Sequence, residues 1–237
     1  LIELLVVIAI IGILAAMLMP GLNKAKNQAS KVTDLNNLKQ VMIALHTYTA
    51  DASDRLPPPN WDNGGFNGPE GNGTFAGWLY TPNLTGVGEK YRIETGLFWP
   101  TLRSPKMYVC PSDDLKMIRY SNRNKQDQPR SQQISSYAMN GAVIGFMRMS
   151  YPPVKLAQML PTDCAFWETD EAEPYYFNDG ANYPPEGVSG RHLQGGIQAA
   201  FDGSVSYIKL LNWYDDVEQT NRNRLWCYPN SPDGRTF

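Results

Sequence analysis

A single carboxylate interrupts a run of hydrocarbon at the start of this chain. Residues 1–22 read LIELLVVIAIIGILAAMLMPGL, and Glu3 is the only charge among them. Burying an unpaired carboxylate in lipid or protein is expensive, so Glu3 calls for a cationic partner. Far downstream, RHLQGGIQAAFDGSV sets His192 ahead of Asp202-Gly203 with nine residues between them. A histidine beside acids invites a metal or catalytic reading, with Asp202, Asp170 or Glu168 as partners. No HxxxH surrounds His192, no neighbouring carboxylate pair brackets it, and the only other histidine, His46, falls in a helical segment. The expectation is therefore a histidine tied by a hydrogen bond to a hairpin, with no metal and no catalytic set. The acid pairs Asp113-Asp114 and Asp215-Asp216 offer oxygens of the kind calcium takes, yet no run matches a defined calcium loop, so no cofactor is expected. Cys110, Cys164 and Cys227 are too far apart for a zinc knuckle or a CxxC redox site. In a secreted chain they would give one disulfide and one free thiol, with all three pairings open.

No GxSxG, phosphate loop, nucleotide fingerprint or haem-attachment CxxCH is present, and an enzyme is not expected. Lys plus Arg is 21 and Asp plus Glu 23, a near balance that excludes the basic footprint of a nucleic-acid binder. Aromatic residues Trp61, Phe66, Phe75, Trp78 and Tyr80 could contact sugars, but more often such residues pack a long loop. The triplets Asn72-Gly-Thr74 and Asn83-Leu-Thr85 fit a glycosylation acceptor, a short and weak signal.

These residues need elements to hold them. From Leu4 to Met19 every residue is apolar, enough at ~1.5 Å per residue to cross most of a bilayer core. Pro20-Gly21 punctuates the run by removing a backbone donor and loosening the turn. The helical pattern then resumes. Leu22, Ala25, Ala29, Val32, Leu35, Leu38, Met42, Leu45 and Tyr48 form one apolar stripe, with Lys24, Lys26, Lys31, Asp34, Lys39 and Gln40 on the other faces. LPPPN at 56–60 stops it. The expectation is one rod over residues 1 to about 50, in two parts: an apolar half-helix at 1–22 that assembles or spans a membrane, and an amphipathic half at 23–52. Residues 53–237 form a β-rich head with long loops. Strands are expected at 107–110, 134–139, 142–147, 164–168, 197–201 and 204–211, with a two-residue turn at Asp202-Gly203. The fold class is α+β: a long N-terminal helix packed by its C-terminal half against a small antiparallel sheet with long insertions.

LIELLVVIAIIGILAA resembles the N-terminal methylation segment of type IV pilins and type II secretion pseudopilins. NNLKQVMIALHTYTADASDRLP, YVCPSD, SSYAMN and the His-x9-Asp-Gly motif are similar to one branch of bacterial prepilin-like proteins. The resemblance implies cleavage of a leader by a prepilin peptidase and methylation of the new terminus. The family's usual start is Phe-Thr ahead of Leu-Ile-Glu, which places the methylated residue outside this numbering. It implies residence in the inner membrane, then polymerisation of identical subunits into an extracellular filament with the help of assembly machinery. Glu3 would pair with the terminal amine of a neighbour, and Pro20-Gly21 would mark a stretch that loses helicity in the fibre. Many relatives carry a cysteine where this chain has Asp34, which leaves a helix-to-Cys110 disulfide without a partner. A pseudopilin of a secretion system, or a membrane-anchored carbohydrate-binding module, is the alternative.

Overall fold

A stripe of apolar side chains at helical spacing, with no interrupting proline between residues 21 and 56, favours a continuous helix. In the computed structural model α1 runs from Ile2 to Asp51. The structure describes residues 2–60, 76–113, 134–146, 153–169 and 180–235, with side chains from Leu4 onward, so the Glu3 carboxylate lies outside what is described. At ~1.5 Å per residue α1 is about 75 Å long. It passes through Pro20 without ending, so the expected punctuation removes one backbone donor but does not stop the helix. Ser53 and Asp54 take left-handed backbone at φ 55° and 68°, which ends the helix ahead of the prolines.

The expected stripe is half right. Leu38, Val41, Met42 and Leu45 are buried, but Leu22 and Val32 are 69% and 63% exposed, and Ala25 and Ala29 are exposed as well. The buried face begins at Asp34, which the sequence reading had placed among the solvated charges. Residues 34, 38, 41 and 45 fall on one side of an α-helix, so this acid belongs to the core-facing side by position.

The described strands are β1 (Tyr137–Asn140), β2 (Cys164–Glu168), β3 (Ala181–Asn182), β4 (Gly195–Ala200) and β5 (Val205–Lys209). They form a sheet in the order β3-β1-β2-β4-β5. Every pairing is antiparallel except the short β3, which runs parallel to β1. Two short helices accompany the sheet, α2 (Trp99–Leu102) and α3 (Leu210–Glu218). Both sheet faces are covered, which is why β2 reads as a continuous apolar run. Phe166 turns toward α1, in a core with Leu38, Met42, Trp78, Phe98 and Tyr108. Its neighbour Trp167 turns the other way, against Trp213 of α3 at a ring separation of 5.0 Å.

Three expectations need correction. Residues 107–110 are not a strand: Pro105 starts a 3-10 turn over Pro105–Tyr108, its fixed φ suiting the first helical position. Of the expected strand at 142–147, residues 142–146 are described, and they are not a strand either. The Asn140 side chain accepts from the Ala142 N–H and starts a 3-10 turn that Gly145 closes at φ 62°. The β4–β5 connection is a three-residue loop, Phe201–Gly203, not a two-residue turn. Gly203 N–H donates to Ala200 O at 2.9 Å, and Ala200 N–H to Ser204 O at 2.9 Å. Gly203 takes the left-handed position at φ 83°, as a three-residue hairpin with a bulge requires. The arrangement as a whole, a long apolar helix packed by its second half on a mixed sheet, is consistent with a pilin-like fold.

Candidate functional site

Among the described residues, two parts stand out from ordinary core and surface: the bare first half of α1, and a knot of buried charge where α1 meets the sheet.

The first half is uncovered. From Leu4 to Met19 the large apolar side chains are between 52% and 73% exposed. By length and composition α1 can cross a membrane, with a mean hydropathy of 2.7 in its apolar window and none of that window buried within the chain. Such a segment suggests membrane anchoring or a signal sequence.

The buried knot is assembled from five pieces of chain. Asp34 comes from α1, and its Oδ1 accepts a short hydrogen bond from the Tyr137 hydroxyl on β1. One turn further along, Asn37 Nδ2 donates to Lys106 O and Val109 O, each at 3.0 Å, fixing the segment that carries Cys110 against the helix. Glu168 ends β2. Arg191 and His192 lie in the turn before β4, where His192 N–H donates to Gly195 O at 3.0 Å and Leu193 and Gln194 take left-handed backbone. Gly196 lets the chain pack closely here: a Cβ there would stand 2.8 Å from Ser189 O and Val188 Cγ2 and 3.3 Å from Glu168 Oε2, the oxygen that accepts from Ile197 N–H at 3.1 Å.

At the centre, His192 Nε2 lies 3.1 Å from Asp34 Oδ2, 3.4 Å from Cys110 Sγ and 3.5 Å from Glu168 Oε1. The ligand-type atoms of these four residues all lie within 4.8 Å of one another. Arg191 flanks them, 3.0 Å from Glu168 Oε1 and 3.2 Å from Asp113 Oδ2. Asp113 also accepts from the Ser136 hydroxyl at 2.6 Å. Asp34, Cys110 and Glu168 are fully buried and His192 is 4% exposed.

The electrostatics follow from that burial. Desolvation lifts Asp34 to about 6, against the lowering effect of His192 and Tyr137. Desolvation would lower His192, but its hydrogen bonds to Asp34 and Glu168, with their charges, outweigh it and raise the imidazole to about 9. Burial also opposes ionisation of Glu168, yet His192 and Arg191 hold it below the usual carboxylate range. Burial and the two carboxylates push the Cys110 thiol well up.

The sequence candidates divide around this knot. His192 is in it, and Glu168 with it. Asp202 is not: it sits at the hairpin tip, where its Oδ1 accepts from Ser204 N–H at 2.7 Å. Gly203 O accepts from Lys39 Nζ at 2.5 Å, and a Cβ at Gly203 would stand 3.3 Å from His46 Nε2. The two ends of the His-x9-Asp-Gly motif thus hold α1 at two places, Asp34 and Lys39. Asp170, Asp114, Trp61, Phe66, Phe75 and the Asn72 triplet lie outside the described residues. Trp78 and Tyr80 are core residues with no exposed surface. Asp216 pairs with Arg224 at 2.5 Å, and Asp113 with Arg191, so these carboxylates are already engaged. Cys110, Cys164 and Cys227 are all buried free thiols. Pro20 and Gly21 lie on the exposed part of α1. Sequence reasoning missed Asp34 and Arg191. The available signal for Asp34 was its helical phase with Leu38, Val41 and Leu45.

Comparison with known protein families, curated proteins and solved structures finds no match to this chain.

Proposed function

We propose that this chain is a pilin-like structural subunit that polymerises through the first half of α1. The observation that carries the reading is the uncovered apolar surface from Leu4 to Met19, continuous with a helix whose other end is anchored in the head. Each fully buried Leu, Ile or Val side chain contributes about 1.5–3 kcal/mol, so stacking such helices supplies a large driving force. Repeated contacts that do not close on themselves build a fibre rather than a ring. Before assembly the same segment resides in the inner membrane, and processing by a prepilin peptidase and extrusion by assembly machinery complete the scheme. Glu3 pairs with the terminal ammonium of an adjacent copy, the partner that a desolvated carboxylate requires. A surface pilus and the short pseudopilus of a secretion system use the same chemistry. The carbohydrate-binding alternative loses two of its aromatic residues, Trp78 and Tyr80, to the core.

Negative-stain microscopy of sheared cell-surface material tests this reading. Long uniform fibres containing the chain are expected from the wild type. Glu3→Leu is expected to abolish or strongly slow fibre formation while membrane insertion continues. Normal fibres from that variant would overturn the pairing, and solitary membrane-bound molecules from the wild type would overturn polymerisation.

A further inference from the structure

An imidazole Nε2 carries at most one hydrogen and gives it to one acceptor. Around His192 three acceptor atoms compete for it, from Asp34, Cys110 and Glu168. Satisfied buried histidines do not need such crowding, but metal ligands do. Tetrahedral zinc binds nitrogen at about 2.0–2.1 Å, carboxylate oxygen at about 2.0–2.2 Å and thiolate sulfur at about 2.3 Å, so neighbouring ligand atoms stand about 3.4 Å (N to O) and about 3.6 Å (N to S) apart. The observed separations from Nε2 are 3.1, 3.5 and 3.4 Å to Asp34, Glu168 and Cys110, each within about 0.3 Å of those edges, and the four ligand atoms all lie within 4.8 Å of one another, a spread that closing on an ion would tighten. We propose that Asp34, Cys110, Glu168 and His192 form a closed tetrahedral site for a zinc-class divalent transition-metal ion, which fastens α1 to the head.

The donor set selects the class of ion. One sulfur and one imidazole nitrogen favour a borderline-soft metal and disfavour calcium and magnesium, which take oxygens in larger shells. All four positions are filled by protein and buried, the pattern of a structural centre rather than a catalytic one with a place for water. The surrounding bonds orient the ligands as outer partners do in metal centres. Tyr137 holds the other oxygen of Asp34, Ile197 N–H holds Glu168 Oε2, and Ser112 N–H donates to Cys110 Sγ at 3.3 Å. Three ligands come from the head and one from α1, so the ion closes the junction between them. This proposal does not depend on polymerisation, because the site lies wholly outside the apolar half-helix.

The test uses the full chain, purified in detergent. Metal analysis is expected to give about one zinc per chain. After chelation, added Zn2+ is expected to raise Tm by about 10 °C at saturation, while Ca2+ and Mg2+ leave it unchanged. Co2+ in place of zinc is expected to produce a thiolate-to-metal absorption band that Cys110→Ser abolishes. Cys110→Ser is nearly isosteric, so retained secondary structure shows that loss of the band is not loss of fold. Metal well below stoichiometry after zinc loading, an unmoved Tm, or a cobalt spectrum with no thiolate band would each overturn the site.

Discussion

The two halves of α1 share one backbone geometry and little else. The half from Leu4 to Ala29 is exposed along its whole length, and its first two-thirds are apolar all round. The half from Asp34 to Thr49 packs Leu38, Val41, Met42 and Leu45 into the head and mixes in polar residues, Asp34 and Asn37, that fix its angle and register. Apolar surface gives adhesion without direction, whereas hydrogen-bonded charge gives direction at the expense of desolvation. The first half therefore suits a contact with many copies or with lipid, and the second suits a unique docking.

Substitutions of one residue type in the two halves test that contrast most strongly. Leu45→Ala, at a position with no exposed surface, is expected to destabilise the head by about 2–5 kcal/mol, seen as a lower urea midpoint. Leu14→Ala, at a position 55% exposed, is expected to leave the head's midpoint within about 0.5 kcal/mol. Equal effects at both sites would erase the distinction.

A smaller effect is expected from pH. In chelator-treated protein the raised imidazole of His192 stabilises the fold fully below its ordinary value of 6.5, and this contribution is lost as pH climbs through about 9. The raised carboxyl of Asp34 acts in the same sense, its contribution being lost as pH rises through about 6. Thermal unfolding is therefore expected to show Tm falling from pH 6.5 to 9.5, and His192→Gln is expected to flatten the upper part of that slope. A Tm that rises over this window would contradict the buried ion pairs.

The smallest effect belongs to the hairpin tip. Gly203→Ala places a side chain at φ 83° and close to His46, and is expected to cost about 1–2 kcal/mol by chemical denaturation. No measurable change would mean that the tip does not help to hold α1.

Much of the fold could be read from pattern alone. The helix announced itself through its spacing and its stop at LPPPN, and CAFWE at 164–168 is β2. The errors arose where local chemistry overrode composition. Pro105 and Asn140 start tight turns in segments that read as strands, because a fixed φ and a side-chain cap act over a few residues while apolar content is averaged over more. The charge knot was harder. Its members lie at 34, 110, 168 and 191–192, separated by loops whose closure no local pattern reports. His192 was legible as unusual, but its nearest acids in space proved to be Asp34 and Glu168 rather than the Asp202 of its own motif.

The manner in which the rod is attached has a mechanical consequence. Its grip on the head runs along the helix axis, from Asp34 past Lys39 to Leu45 and Tyr48. Tension applied to the free end therefore loads these bonds together, in shear, and cannot open them one at a time as a zip would. A head held this way resists a steady pull far better than the sum of its weakest links suggests, and when it yields it does so in one step.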